Sequence, residues 1–180
     1  MAAPVRGARV TPSGRAPHPL LRPAVLTDAV RIAHLIRRSK AEAMPWLAVP
    51  HSVAEDESWA AHVLLPEHGV IVACDARNPS RLLAVLAFRT EWVDQLYVAP
   101  GEQGRGLGSR LLHRAKEEAP AGLSLWTFER NGRARKFYER HGFVEVRRTR
   151  GENEEREPDI LYRWDGTGGA DRRIRPSGAR

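Results

Sequence analysis

Residues Asp94 to Ser109 read DQLYVAPGEQGRGLGS. An apolar stretch, Leu96, Tyr97 and Val98, runs into a Pro100-Gly101 turn. A loop follows in which Gly104, Gly106 and Gly108 alternate with Arg105 and Leu107, and helical spacing begins at its end. Three glycines in five residues let the backbone approach a ligand closely. Amides at a helix start carry unpaired N–H groups and a partial positive charge. Gln103, Gly104, Arg105, Gly106, Leu107, Gly108 and Ser109 are therefore a candidate cradle for phosphate or pyrophosphate. A glycine-softened turn without a ligand is the plain alternative. Two common phosphate loops do not fit. A P-loop needs GxxxxGK[ST], and no Lys-Ser/Thr pair follows these glycines. A dinucleotide loop needs GxGxxG directly after a strand, whereas here the spacing is GxGxG, Ser109 stands at the third site and a Pro-Gly turn intervenes.

Working outward, Trp92 to Val98 reads as a strand. Leu107, Leu111, Leu112, Ala115 and Ala119 mark the inner face of a helix that Pro120 stops, and Leu123 to Phe128 reads as the next strand. Strand, helix and strand make a βαβ unit with parallel strands and a right-handed crossover. Upstream, Leu20 to Val25 reads as a short strand, and Thr27 or Asp28 caps a helix reaching about Ser39, with Val30, Ile32, Ala33, Leu35 and Ile36 as its buried face. Met44 to Pro50 is a loop. Ser52 opens a second helix with Glu55 completing a capping box. Gly69 to Cys74 and Leu82 to Phe88 are apolar strands joined by a turn over Ala76 to Ser80. Downstream, Asn131 to Arg140 is a short helix, and Phe143 to Thr149 and Ile160 to Trp164 are the last strands.

A chain of 180 residues with 42% hydrophobic content is long enough for one domain with a full core. No apolar run approaches the ~20 residues of a membrane span, and the N-terminus lacks an apolar signal core. The single cysteine, Cys74, excludes an internal disulfide and a cysteine-built metal site, and its plain reading is a buried strand residue. None of the seven histidines falls in HExxH or a compact ligand cluster, so no metal is expected. Together these features predict a cytoplasmic location. The net charge of +7 is concentrated at the ends: residues 1–19 and 166–180 carry +3 each, leaving +1 for residues 20–165. The expected organisation is a folded domain over 20–165 between two disordered basic tails, with no specific nucleic-acid surface.

Leu125 to Phe143 reads LWTFERNGRARKFYERHGF, in which Ala134, Phe137, Tyr138 and His141 follow helical spacing. On the string alone Tyr138 reads as a core aromatic as readily as a functional one. Val98, Pro100, Gln103, Gly106 and Gly108 resemble motif A of the GNAT acetyltransferases, and the N-x-x-A-x-x-F-Y-x-x-x-G-F pattern from Asn131 resembles motif B of the same family. The resemblance implies an α/β GNAT fold: a central mixed sheet of six to seven strands, about four flanking helices, and two parallel central strands that splay apart. It implies acetyl-CoA as co-substrate, its pyrophosphate on Gln103 to Ser109 and its pantetheine arm beside the main chain of Leu96, Tyr97 and Val98, with Asn131 contacting that arm. Tyr138 matches the tyrosine that protonates the departing thiolate.

The chemistry agrees. A primary amine with a pKa near ~10 must lose a proton before it attacks a thioester. The oxyanion needs an N–H donor, for which the Val98 amide is the candidate. A thiolate whose acid has a pKa of roughly 8.5 accepts a proton from a nearby tyrosine. The base is less clear. Some family members place a glutamate where Trp126 stands here, others where Trp92 stands. Asp94 is preferred to Glu91, because it shares strand parity with Leu96 and Val98. Glu154 and Glu155, in the loop Gly151 to Asp159, are candidates for drawing in a cationic amine. The expected activity is N-acetyl transfer to a small-molecule or peptide amine in a ternary complex. A non-catalytic CoA-binding or regulatory module is the alternative, and the reading allows a homodimer.

Overall fold

The computed structural model describes residues 18–166. The two tails read as disordered fall outside the described residues, apart from their innermost positions. The described chain forms one seven-stranded mixed sheet, in the order β1-β2-β3-β4-β5-β7-β6. The strands are β1 (Leu20–Pro23), β2 (Gly69–Cys74), β3 (Leu82–Arg89), β4 (Trp92–Val98), β5 (Leu123–Phe128), β6 (Val144–Arg148) and β7 (Asp159–Trp164). The helices are α1 (Ala29–Ala43), α2 (Val53–Trp59), α3 (Leu65–Glu67), α4 (Leu107–Glu118) and α5 (Gly132–Arg140). A π-helical stretch, Ala60–Leu64, joins α2 to α3 into one continuous rod.

Strands β2 and β3 are central and covered on both faces. This is why they read as continuous apolar runs rather than alternating ones. One face carries α4, whose Leu111, Leu112 and Ala115 pack on Ile71, Leu86 and Phe88. The other carries α1, whose Ile32, Leu35 and Ile36 pack on Val70, Val72 and Val85. Leu111 is fully buried, so truncating it to Ala costs about 2–5 kcal/mol. Val30 is not part of this face. It is 48% exposed, because the buried stripe of α1 passes through Ile32, Ala33, Leu35 and Ile36. Asp28, read as a cap, is the N-cap residue of α1, yet its side chain makes no capping bond there. Instead the fully buried carboxylate accepts from the Arg22 guanidinium at 2.6 and 3.0 Å, from Arg31 at 3.0 Å and from the Val25 amide at 3.0 Å. Hydrogen bonds from Arg22 come first among the causes that hold it well below the usual carboxylate range. The Ser52–Glu55 capping box forms in both directions.

Candidate functional site

The parallel strands β4 and β5 pair at one position, Trp92 with Ser124, and then diverge. Beyond that point β4 has β3 on one side and open space on the other. Ala99 donates its amide to the Leu83 carbonyl at 2.8 Å. Successive strand residues turn their N–H and C=O to opposite sides, so the backbone groups of Val98 face the opening. The Val98 carbonyl accepts from Ser39 Oγ at 3.1 Å and from Gln103 Nε2 at 3.4 Å. Its amide is left toward the gap.

A β-bulge interrupts the β3–β4 ladder. Ala87 pairs with Gln95 and Phe88 with Val93, so Asp94 has no partner across the ladder. The bulge resets the alternation: Val93, Leu96 and Val98 pack with the α4-side core. Asp94 falls out of that alternation, yet it still borders the cavity that Leu96, Tyr97 and Tyr138 line. The Asp94 carboxylate accepts from Arg89 at 2.8 and 3.3 Å and lies 3.6 Å from His68 Nε2.

Three cavities meet along the opening. The first, about 390 Å³, is walled by β4, the glycine loop and α5. The second, about 430 Å³, lies deeper between β4, β5 and the loop before β7. The third, about 620 Å³, lies between α1, the 44–51 loop and the start of α2. Buried Met44 borders all three. Edge contact between Trp46 and Phe128, with Arg130 stacked 4.4 Å over Trp46, fixes the 44–51 loop across the mouth. Leu96, Tyr97, Asn131 and Tyr138 line both the first and the second cavity.

The glycine loop has the form an anion needs. Gly104 and Gly106 have φ of 77° and 79°, a region that costs other residues roughly 1–2 kcal/mol. Gly106 is the N-cap of α4, and no side chain caps that helix, so its first-turn amides are unpaired. A Cβ built at Gly104 or Gly106 would meet nothing within 4 Å, so the space in front of these amides is open to a phosphate. Gly108 differs: a Cβ there would stand 3.4 Å from the Phe137 ring, which marks a close approach between α4 and α5. The Arg105 side chain is drawn away to Glu102, which also pairs with Arg81 at 2.6 Å. Arg105 thus offers the cradle its backbone, while its guanidinium braces the loop. The Ser109 hydroxyl is engaged by His141 Nε2 at 3.0 Å, and His141 Nδ1 donates to the Phe137 carbonyl at 2.7 Å. In a neutral imidazole with its proton on Nδ1, Nε2 is the acceptor for the Ser109 hydroxyl. Leu107 packs inward, 3% exposed. The sequence reading did not single out Arg133, which donates to Gln103 and sets a cation at the rim of the first cavity.

On α5, Asn131 is the N-cap, with Oδ1 accepting from the Ala134 amide at 3.1 Å. Its amide nitrogen is left to face the cavities. Two turns further, the Tyr138 ring packs edge-on to Phe137 and Phe143, with centroids at 5.2 and 5.7 Å. The residue is 8% exposed, and its hydroxyl makes no hydrogen bond among the described residues. Burial pushes the phenol well above its ordinary value, so at neutral pH it is a proton donor. Burial first, then the neighbouring Tyr138 and Glu155, do the same to Tyr97.

The loop before β7 is held by Asn153, which donates to the Glu157 carbonyl at 2.7 Å and to Asp159 at 2.9 Å. This presents two glutamates differently. Glu154 is exposed and pairs with His51 at 3.1 Å. Glu155 is half-buried, lines both the second and the third cavity, and has no ion-pair partner among the described residues. No three His, Cys, Asp or Glu side chains among the described residues converge on a metal position. No described helix is long and apolar enough to cross a membrane.

The family profile described as "Acetyltransferase (GNAT) domain" matches residues 51–145, more than half of the chain. The chain belongs to the GNAT acetyltransferase family. A probable N-acetyltransferase of Mycobacterium tuberculosis is 48% identical over 52 residues, which is 28% of this chain and 30% of that relative. Solved structures superpose over most of the domain. The apo form of YjaB from Escherichia coli has a TM-score of 0.67 at 22% identity, covering 82% of this chain and 98% of its own. A GCN5-related N-acetyltransferase from Rhodopseudomonas palustris has 0.68 at 20%, covering 88% and 99%. The PaiA N-acetyltransferase from Thermoplasma acidophilum, solved with coenzyme A, has 0.61 at 17%, covering 82% and 98%. These three share the fold with this chain. The GNAT fold expected from the motifs, with its seven-stranded mixed sheet and parallel β4–β5 pair, is the fold observed.

Proposed function

We propose that this GNAT domain transfers an acetyl group from acetyl-CoA to a primary amine. The observation that carries the reading is the placement of two groups on either side of one cavity. Tyr138 stands where the glycine-loop cavity opens into the middle cavity, and Glu155 where the middle cavity opens into the third. An acid for a leaving group and an acceptor for an amine proton thus flank a common space.

The co-substrate supplies an acetyl thioester. The residues proposed to hold it are the amides of Gln103 to Ser109 for the pyrophosphate, the strand edge of Leu96, Tyr97 and Val98 for the extended arm, and the Asn131 amide nitrogen. The loop fits such a group, because its amides are uncapped and the space before Gly104 and Gly106 is open. Glu155, without an ion pair among the described residues, takes the proton from the acceptor's ammonium. The Val98 amide, turned toward the gap, donates to the oxyanion. As the new N–C bond forms and the C–S bond breaks, Tyr138, kept protonated by burial, gives its hydroxyl proton to the sulfur, and the second proton shed by the acylated nitrogen restores the phenol. Asp94 was the base expected from parity. The Arg89 guanidinium already occupies its carboxylate, so the role passes to Glu155.

A CoA-binding module without catalysis is the competing reading, favoured by Trp92 and Trp126 at the two positions where a glutamate was sought. Release of free thiol from acetyl-CoA, measured with and without amines, separates the two. Amine-dependent turnover supports transfer. Tight acetyl-CoA binding without any amine-dependent thiol release would leave the binding module.

A further inference from the structure

We propose that the acceptor is a monoamine on an apolar body, and that Lys40 selects against acceptors carrying a second positive charge. This rests on the acetyl-transfer reading above and concerns what enters the third cavity. That cavity, about 620 Å³, is within the size range of small-molecule sites, ~300–1,000 Å³. Its walls are largely apolar: Ile36 on α1, Leu47, Val49 and Pro50 on the loop, and Trp59 at the end of α2. An acceptor dominated by hydroxyls would lose water there without partners in return, whereas a ring or alkyl body gains by burial.

Most of the charged side chains around this cavity are already engaged by other protein groups, although Glu55 keeps its charge at the start of α2. Arg37 donates to Asp56 at 2.6 Å and to the His51 carbonyl at 3.0 Å. Glu55 accepts from the Ser52 amide at 2.7 Å. His51 and Glu154 hold each other at 3.1 Å. Two charged side chains lining the cavity have neither a hydrogen bond nor an ion pair among the described residues: Lys40, half-buried on α1, and Glu155. They are not equivalent. Glu155 also borders the middle cavity with Tyr138, and Lys40 does not. An ammonium therefore belongs at the Glu155 end, next to the reacting centre, with the apolar body filling the space behind it. A second cation on the same molecule would share a partly desolvated cavity with the Lys40 ammonium, where like charges repel more strongly than in water. A neutral body meets no such opposition. Lys40 is thus a specificity-determining residue, and the polarity of the site runs from cation-attracting at Glu155 to cation-rejecting at Lys40.

The test uses the full chain, acetyl-CoA and three amines: 2-phenylethylamine as an apolar monoamine, ethanolamine as a polar monoamine and spermidine as a polycation. Thiol release gives kcat/KM for each. The expected result is that 2-phenylethylamine exceeds both others by at least about tenfold. Lys40→Met should then shift the spermidine to 2-phenylethylamine ratio by about tenfold toward spermidine, and Lys40→Glu should shift it further, with melting temperatures confirming that both variants fold. Equal or better use of ethanolamine or spermidine by the natural chain, or a ratio unmoved in both Lys40 variants, overturns this inference and leaves acetyl transfer standing. No thiol release with any of the three amines overturns the transfer reading and this inference with it.

Discussion

The guanidinium of Arg89 lies 2.8 Å from the carboxylate of Asp94, at the bulge where β4 loses its register with β3. That guanidinium takes up both Asp94 carboxylate oxygens, whereas Glu155 makes no ion pair among the described residues. Asp94→Asn should therefore change kcat/KM for an amine acceptor less than about threefold, while Glu155→Gln should lower it by at least about tenfold. Steady-state kinetics on the two variants, compared at saturating acetyl-CoA, read the difference directly.

The glycine loop yields a binding prediction with an internal control. Gly106→Val places a branched side chain in the open space before the α4 amides and also strains a residue at φ 79°. Gly101→Val carries the same kind of strain, φ 77°, in open space that does not line the glycine-loop cavity. Calorimetry should show acetyl-CoA affinity reduced at least about tenfold by Gly106→Val and little changed by Gly101→Val, although both lose stability of order 1–2 kcal/mol. Equal affinity losses would mean that loop strain, and not occlusion, is being measured.

Much of this architecture was legible in the chain because its signals are local. The bounds of β2, β4 and β5 follow from apolar, partly β-branched runs between turn residues, Pro120 ends α4, and Ser52 with Glu55 announces α2. What was not legible depends on partners distant in sequence. The bulge at Asp94 exists only relative to β3, and it defeats any argument from strand parity. The pairing of Arg105 with Glu102 draws a solvent-facing cation away from the open space before the glycine loop. The third cavity is made from α1, the 44–51 loop and the loop before β7, none of which carries a motif. Glu155 stood out from Glu154 only once the latter was seen to lie 3.1 Å from His51.

Asp28 sets the acid limit of the fold. Its carboxylate is lowered by hydrogen bonds from Arg22 in the folded state and reverts to about 3.9 when unfolded. The stability it provides is therefore fully present above about pH 4 and is lost as pH falls toward the lowered folded value. Asp28→Asn should destabilise by about 1.5–3 kcal/mol at pH 7, since the buried position loses its charged hydrogen bonds to the partly exposed Arg22 and Arg31. That corresponds to a drop in melting temperature on the order of 5 °C. Thermal unfolding of both proteins should show this gap at pH 7 and a smaller one at pH 3.

The domain boundary is also testable. The Pro19 carbonyl accepts from Arg110 at 3.1 Å, and a Cβ at Gly166 would collide with the Pro120 carbonyl at 2.1 Å. Both residues belong to the packed domain. We propose that a chain trimmed to residues 18–166 keeps its melting temperature within a few degrees and its turnover within about twofold. Trimming to 20–165 should cost measurably more, because the Arg110 contact goes with it.

The account turns on Tyr138, the buried phenol that lines the middle cavity and whose hydroxyl has no hydrogen-bond partner among the described residues. Tyr138→Phe keeps the ring against Phe137 and Phe143 and removes only the donor, so the melting temperature should hardly move. The deciding measurement is kcat for acetyl transfer by this variant under conditions where chemistry limits the rate, alongside its acetyl-CoA affinity. General-acid catalysis predicts a fall of about 10²–10⁴-fold with affinity nearly unchanged, because the lost interaction is made in the transition state. A kcat within about twofold of the natural chain would contradict it and return Tyr138 to the core.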